Sequence, residues 1–242
     1  MQLSLLQLSL FFFQRSPSSF NLQPTQIVLV RDTKRKQRLA SNAMIGPGNE
    51  YRTRDCSTLA VFLSDLQASK RIERIQSLQE STTHPNYRAT FPIRAHFLLG
   101  QGSLATSIKQ AALGVARRTL KPMPTIDPIA VWGAKNTALV VQSYVLAATS
   151  HGLATTIMEG YDSVAMAQEL RLPEDDRYSI PMVVATGYDY FGVETRDQES
   201  VRLGVEEVVF AETFGVPVRL GEHTIAPTPK TDSLPTDKKA AI

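Results

Sequence analysis

The chain has 242 residues, 43% of them hydrophobic, enough to bury one sizeable core. Its 26 basic and 23 acidic side chains leave a net charge of +3, too small a surplus to announce a nucleic-acid or membrane partner. The lone cysteine, Cys56, excludes an intramolecular disulfide, so a single domain in a reducing, cytoplasmic compartment is expected.

Residues 1–13, MQLSLLQLSLFFF, are apolar, but no Lys or Arg precedes them and the run is too short for a membrane span. A short buried element or an altered start to the chain is expected there in preference to a secretory signal. The next stretch, RSPSSFNLQP at 15–24, is dense in hydroxyl and amide groups and leads into the apolar run QIVLV at 26–30. That run, together with 59–63 and 180–186, predicts strands buried on both faces. Asp32 is placed to cap a basic helix reaching Met44, and the turn residues of IGPGN at 45–49 predict a loop that stops it. A second helix is expected over 66–78. Residues 91–120 read as mostly helical but carry Gly100, Gly102 and Gly114, which suggests an insertion or lid over 91–124.

Asp127 and Pro128 predict a helix start, and the helix runs from Trp132 to His151, with Gly152 offering a left-handed cap. Apolar residues cover nearly all its faces, so it should be central, in the core or at an interface. Asp162 should cap a shorter helix to Arg171, and the Thr, Pro and Lys rich stretch 223–242 is expected to be disordered.

Few motifs rise above this background. GQGSLA at 100–105 fits a dinucleotide-binding fingerprint only loosely, because basic residues at 117–121 stand where a ribose-binding acid belongs. The cluster KRKQR at 34–38 reads as the solvated face of its helix. His84, His96, His151 and His223 show no metal-ligand spacing, and no nucleophile elbow or phosphate-binding loop occurs. MEGYD at 158–162 is different, since a glycine before a helix start lets backbone approach a flat ligand and offers free amides to an acceptor.

The order of several segments resembles the flavin-dependent nitroreductase family. PSSFNLQP at 17–24 is similar to its serine-rich segment before a strand, GN at 48–49 to its asparagine-bearing loop, and AATSHGLATTIMEGYD at 147–162 to its long-helix end and Glu-Gly turn. LP at 172–173 and IPMVVATGY at 180–188 look like its closing strand, and RLGVEEVV at 202–209 like the segment after that strand. The likeness covers about residues 15–218. It implies an α+β fold, a three-layer sandwich with a central mixed, mostly antiparallel sheet flanked by helices, in a homodimer binding one FMN per subunit at the interface. It also implies hydride transfer from NADH or NADPH through the flavin to a nitroaromatic, a quinone or a similar small-molecule electron acceptor, with no catalytic side chain.

Carried over residue by residue, Ser18, Ser19 and Asn21 belong to the cofactor site, the two serines facing the partner subunit's flavin. Asn49 would bond the pyrimidine edge of the subunit's own flavin, with Arg52 nearby. Glu159 and Gly160 would bring backbone N–H groups to the hydride-accepting atom, and Arg202 would pair with the phosphate. The sequence departs from the pattern at its front, where an apolar leader over 1–14 replaces the family's first helices with their phosphate-gripping Arg-Arg-Ser segment, and at Ser200, often basic in the family. These departures imply weak FMN retention. They also imply an alternative: a non-catalytic, truncated family member that keeps the dimer scaffold.

Overall fold

The protein is seen in a computed structural model that describes residues 13–78, 84–99, 102–188 and 201–216. The strands are β1 (Thr25–Val30), β2 (Thr58–Asp65), β3 (Ala154–Met158) and β4 (Tyr178–Gly187), in the sheet order β1-β2-β4-β3, and each neighbouring pair is antiparallel. The helices are α1 (Thr33–Ala43), α2 (Pro47–Asp55), α3 (Ile72–Leu78), α4 (Pro85–Leu98), α5 (Ser103–Ala116), α6 (Ile129–Ser150), α7 (Ser163–Leu170) and the short α8 (Val205–Val208).

The twofold side-chain period of β2 explains why the sheet is covered on both sides. Leu59, Val61 and Leu63 face one layer, where they join Leu39 and Ala43 of α1 and Met166 and Leu170 of α7. Ala60 and Phe62 face the other, against Val140, Val141 and Tyr144 of α6. β4 repeats the split, with Val183 and Ala185 in the first layer and Val184 in the second. The result is helix on sheet on helix, the α+β sandwich expected. Each large apolar side chain fully buried in these layers contributes about 1.5–3 kcal/mol. Tyr144, fully buried, is fixed further by its hydroxyl contact to Thr186 at 2.9 Å and its edge-on packing against Phe62 at 5.5 Å between ring centres.

Two caps form as their sequences require. Asp32 accepts the N–H of Arg35 at 2.8 Å, and Asp162 accepts those of Val164 and Ala165 at 2.8 and 3.1 Å. Gly152 takes a φ of +73° after α6 and turns the chain into β3.

Other expectations are corrected. Asp127 does not cap α6; the helix follows Pro128, and the Asp127 carboxylate pairs with Lys135 on the helix surface instead. Residues 45–49 are not simply a terminating loop, because Pro47 fits the first turn of a helix and α2 begins there. The helix over 66–78 is shortened to a 3-10 turn, Ala68–Arg71, running into α3. The strand β3 has no counterpart among the sequence-based expectations. Within the basic cluster Lys36 is not solvated: it is 6% exposed, and its ammonium donates to the carbonyl of Cys56. The loose dinucleotide fingerprint is preceded by α4, a helix, so no strand-turn-helix unit forms there.

The chain divides into two compact units, residues 1–190 and 191–242, and α8 lies in the second. The expectations for the tail at 223–242 and for most of the leader fall outside the described residues. No helix among the described residues is long and apolar enough to cross a membrane.

Candidate cofactor site

The turn between α1 and α2 is stitched to the segment after β3. Ile45 N–H donates to the Gly160 carbonyl at 2.9 Å, Asp162 N–H donates to the Ala43 carbonyl at 2.7 Å, and Met44 and Tyr161 form an antiparallel bridge. Gly46, at φ +84°, makes the turn that lets α2 start at Pro47. That start places Asn49 in the first helical turn, where its amide Nδ2 donates to the Ile45 carbonyl at 3.0 Å and to the Gly160 carbonyl at 3.2 Å. Arg52 follows three residues later, on the same face of α2 as Asn49, and is exposed.

Gly160 is required by space. A Cβ built on it would fall inside 3.0 Å of Asn49 Nδ2, so the asparagine amide lies directly against the glycine backbone. The carbonyl of Gly160 is used twice, whereas its N–H has no hydrogen-bond partner among the described residues. Tyr161 anchors the far side of the turn by donating its hydroxyl to the Ile180 carbonyl at 2.6 Å. Burial, aided by the neighbouring Glu159 charge, pushes that phenol up to about 12. Glu159 itself is exposed. Asn49 and Gly160 are therefore in contact, with Glu159 and Arg52 at their flanks.

Ser18, Ser19 and Asn21 stand elsewhere. They precede β1, whereas Glu159 and Gly160 follow β3, and these strands are the two opposite edges of the sheet, three strand spacings or roughly 14 Å apart. The loop is strained: Phe20, Asn21 and Gln23 have φ of 58°, 55° and 48°, a left-handed region that costs a non-glycine residue about 1–2 kcal/mol. Several contacts hold it. Ser19 N–H donates to Asn136 Oδ1 at 2.7 Å, Ser18 Oγ accepts the N–H of Gln23 at 3.0 Å, and Asp65 N–H donates to the Pro24 carbonyl at 2.9 Å. Leu22 is fully buried with Ile72, Phe91 and Trp132.

Behind this loop sits a charged hub that no sequence motif announces. The Asp65 carboxylate, with no side-chain exposure, takes two hydrogen bonds from Arg177, at 3.1 and 2.9 Å, one from Arg71 at 3.1 Å and one from Gln67 N–H at 3.0 Å. Burial alone would raise its pKa, but the Arg177 hydrogen bonds, the Gln67 N–H and the two guanidinium charges together hold it below the usual carboxylate range. Arg71 also donates to the Gln23 carbonyl, so the hub grips the strained loop directly. Asn136, a buried polar residue of α6, is the helix's partner for this loop.

Arg202 lies in the second unit, where its guanidinium donates to the Val201 carbonyl at 2.9 Å. Among the described residues no group of three or more His, Cys, Asp or Glu side chains could hold a metal ion. The site assembled here offers a backbone N–H without a partner among the described residues, the Asn49 amide oxygen and a cation, which suit hydrogen bonding to a flat heterocycle.

The sequence comparison that decides the family is a match of the nitroreductase family model to residues 3–188. The chain belongs to the nitroreductase family. A search among curated proteins finds no match. Solved structures share the family fold. A nitroreductase family protein from Streptococcus pneumoniae superposes with a TM-score of 0.62 at 19% identity, covering 86% of this chain and 88% of that one. A Staphylococcus epidermidis protein described as an NAD(P)H:FMN oxidoreductase gives 0.61 at 18%, covering 85% and 84%. An Exiguobacterium sibiricum nitroreductase-type protein, solved in complex with FMN, gives 0.61 at 20%, covering 88% and 87%.

Proposed function

We propose that this nitroreductase-family chain is an FMN-dependent oxidoreductase that takes a hydride from NADH or NADPH and delivers it to a nitroaromatic, a quinone or a similar small-molecule acceptor. The observation that carries this reading is the Asn49–Gly160 contact. It brings together an N–H without a partner among the described residues and an amide, with Arg52 three residues further along the same helix. The fit of FMN rests on this chain's own donors: the Gly160 N–H, without a partner among the described residues, can meet a ring acceptor, while the Asn49 amide occupies the space a Cβ would take. When bound, the flavin supplies the hydride chemistry, passing two electrons between nicotinamide and acceptor.

The residues supply position and charge. Asn49 and Gly160 orient the ring, and Arg52 favours negative charge arriving at that edge. Ser18, Ser19 and Asn21, on the opposite edge of the sheet, serve the site of a second subunit in a homodimer. The apolar residues that α6 leaves exposed, Val131, Leu139 and Leu146, support such an association. Arg202 contributes to the phosphate, and the described helices of the 91–124 region, α4 and α5, shape acceptor choice.

The test is to reconstitute the purified chain with FMN, add NADH or NADPH anaerobically, then supply nitrofurazone or menadione. Bleaching of the flavin followed by reoxidation with acceptor turnover is expected. Flavin that neither binds nor bleaches would overturn the proposal and leave the chain as a non-catalytic scaffold.

A further inference from the structure

A second cleft, of about 950 Å³, opens between α1 and α7 and uses none of the residues assigned to the cofactor site. It is lined by Arg35, Arg38, Asn42, Gln168, Glu169 and Arg171, together with Ala165. Three guanidinium groups face one carboxylate. Glu169 is already engaged, pairing with Arg38 at 3.4 Å and accepting from Asn42 Nδ2 at 2.7 Å. Arg35 and Arg171 make no ion pair among the described residues, so the lining of this cleft is net positive.

The backbone at Arg171 gives an independent indication. This residue ends α7 in the left-handed conformation, φ 56° and ψ 45°, a position where glycine is the common choice. A residue with a Cβ is disfavoured there. The left-handed turn places a guanidinium at the junction of this cleft and a neighbouring one of about 850 Å³, lined by Leu172, Pro173, Tyr178 and Ile180 and also by the carboxylates of Glu174 and Asp176; Arg171 and Gln168 line both. A strained residue carrying a charge into a concave, polar wall is the pattern of a binding position.

We propose that the α1–α7 cleft binds the phosphate end of a small phosphorylated molecule. Arg35 and Arg171 supply the charge, Gln168 and Asn42 supply further polar contacts, and the body of the ligand extends past Arg171 toward Tyr178 and Ile180. Two unpaired guanidiniums match a phosphate dianion, and forked Arg donors suit its oxygens. The cleft is a partly open groove between two helices, wide enough for a small molecule.

The test titrates inorganic pyrophosphate into the full chain by calorimetry at low salt, with Arg171→Gly, Arg35→Gln and, as a control, the exposed Arg118→Gln. Saturable binding is expected for the parent and for Arg118→Gln, weakened at least tenfold in Arg171→Gly and in Arg35→Gln. Because glycine suits the left-handed cap, Arg171→Gly should melt no lower than the parent, which separates lost binding from lost fold. Arg35→Gln keeps the backbone N–H bonded to Asp32 and reads the same site independently of the cap. Absence of saturable binding, or binding unchanged in both variants, overturns the proposal. Neither result depends on flavin binding or turnover.

Discussion

Replacing Gly160 with alanine should disturb the candidate site through one identifiable contact. Gly160 is not among the residues of positive φ, so its backbone tolerates a side chain and the effect is steric alone. The new Cβ would displace the Asn49 amide, which gives up its bonds to the Ile45 and Gly160 carbonyls. At roughly 0.5–1.5 kcal/mol for each bond, the loss comes to about 1–3 kcal/mol, toward the lower end because both groups are partly exposed. Asn49→Ala removes the same bonds without the clash. In a double-mutant cycle read by urea denaturation, Gly160→Ala should therefore cost about 1 kcal/mol or less once Asn49 is already alanine. Simple additivity of the two substitutions would refute the contact as the reason for the glycine.

Two further outcomes concern the core. Asp65→Asn should destabilise the fold by about 2–4 kcal/mol, because Arg177 and Arg71 lose a buried partner but remain partly exposed. The folded pKa of Asp65 lies below its unfolded value, so its contribution is fully present above about pH 4 and is lost as the pH falls through the folded value. Denaturation midpoints measured across pH 2–6 should therefore fall less steeply in Asp65→Asn than in the parent. Gly133→Ala should cost about 1–3 kcal/mol, since the added Cβ would fall inside 3.0 Å of the buried Ser64 Oγ where α6 crosses β2; an unchanged melting temperature would contradict that packing.

The parts of the fold that can be read in advance are those whose signal is local. The strands at 26–30, 59–63 and 180–186 are short, mostly apolar runs, and Asp32 and Asp162 announce the helices they cap. β3 escapes such a reading because Ala154–Met158 is a five-residue edge strand with half-exposed threonines, lying directly after α6. Its available signal is the left-handed Gly152 and, just beyond it, β-branched Thr155, Thr156 and Ile157. The turn at 45–49 is ambiguous because Gly-Pro-Gly serves equally as a stop and as a helix start. Lys36 takes on the solvated character of its charged neighbours in the sequence, but it lies one helical turn before Leu39 and Ala40 on the buried face, and its carbonyl partner is 20 residues away.

The contacts within the candidate site are not legible in the sequence. Asn49 and Gly160 are 111 positions apart, Ser19 and Asn136 are 117 apart, and no spacing rule connects either pair. The hub at Asp65 shows the same limit. Its carboxylate ends an apolar strand like any turn residue, and only the arrival of Arg177, 112 residues later, turns it into a support for the loop that carries Ser18 and Ser19.

The most direct test of the account is anaerobic reduction of the FMN-reconstituted chain, monitored by flavin absorbance. Bleaching by NADH or NADPH, with FMN affinity reduced several-fold in Gly160→Ala, is the predicted result. Retention of FMN with equal affinity in the parent, Asn49→Ala and Gly160→Ala would contradict the placement of the cofactor beside the Asn49–Gly160 contact.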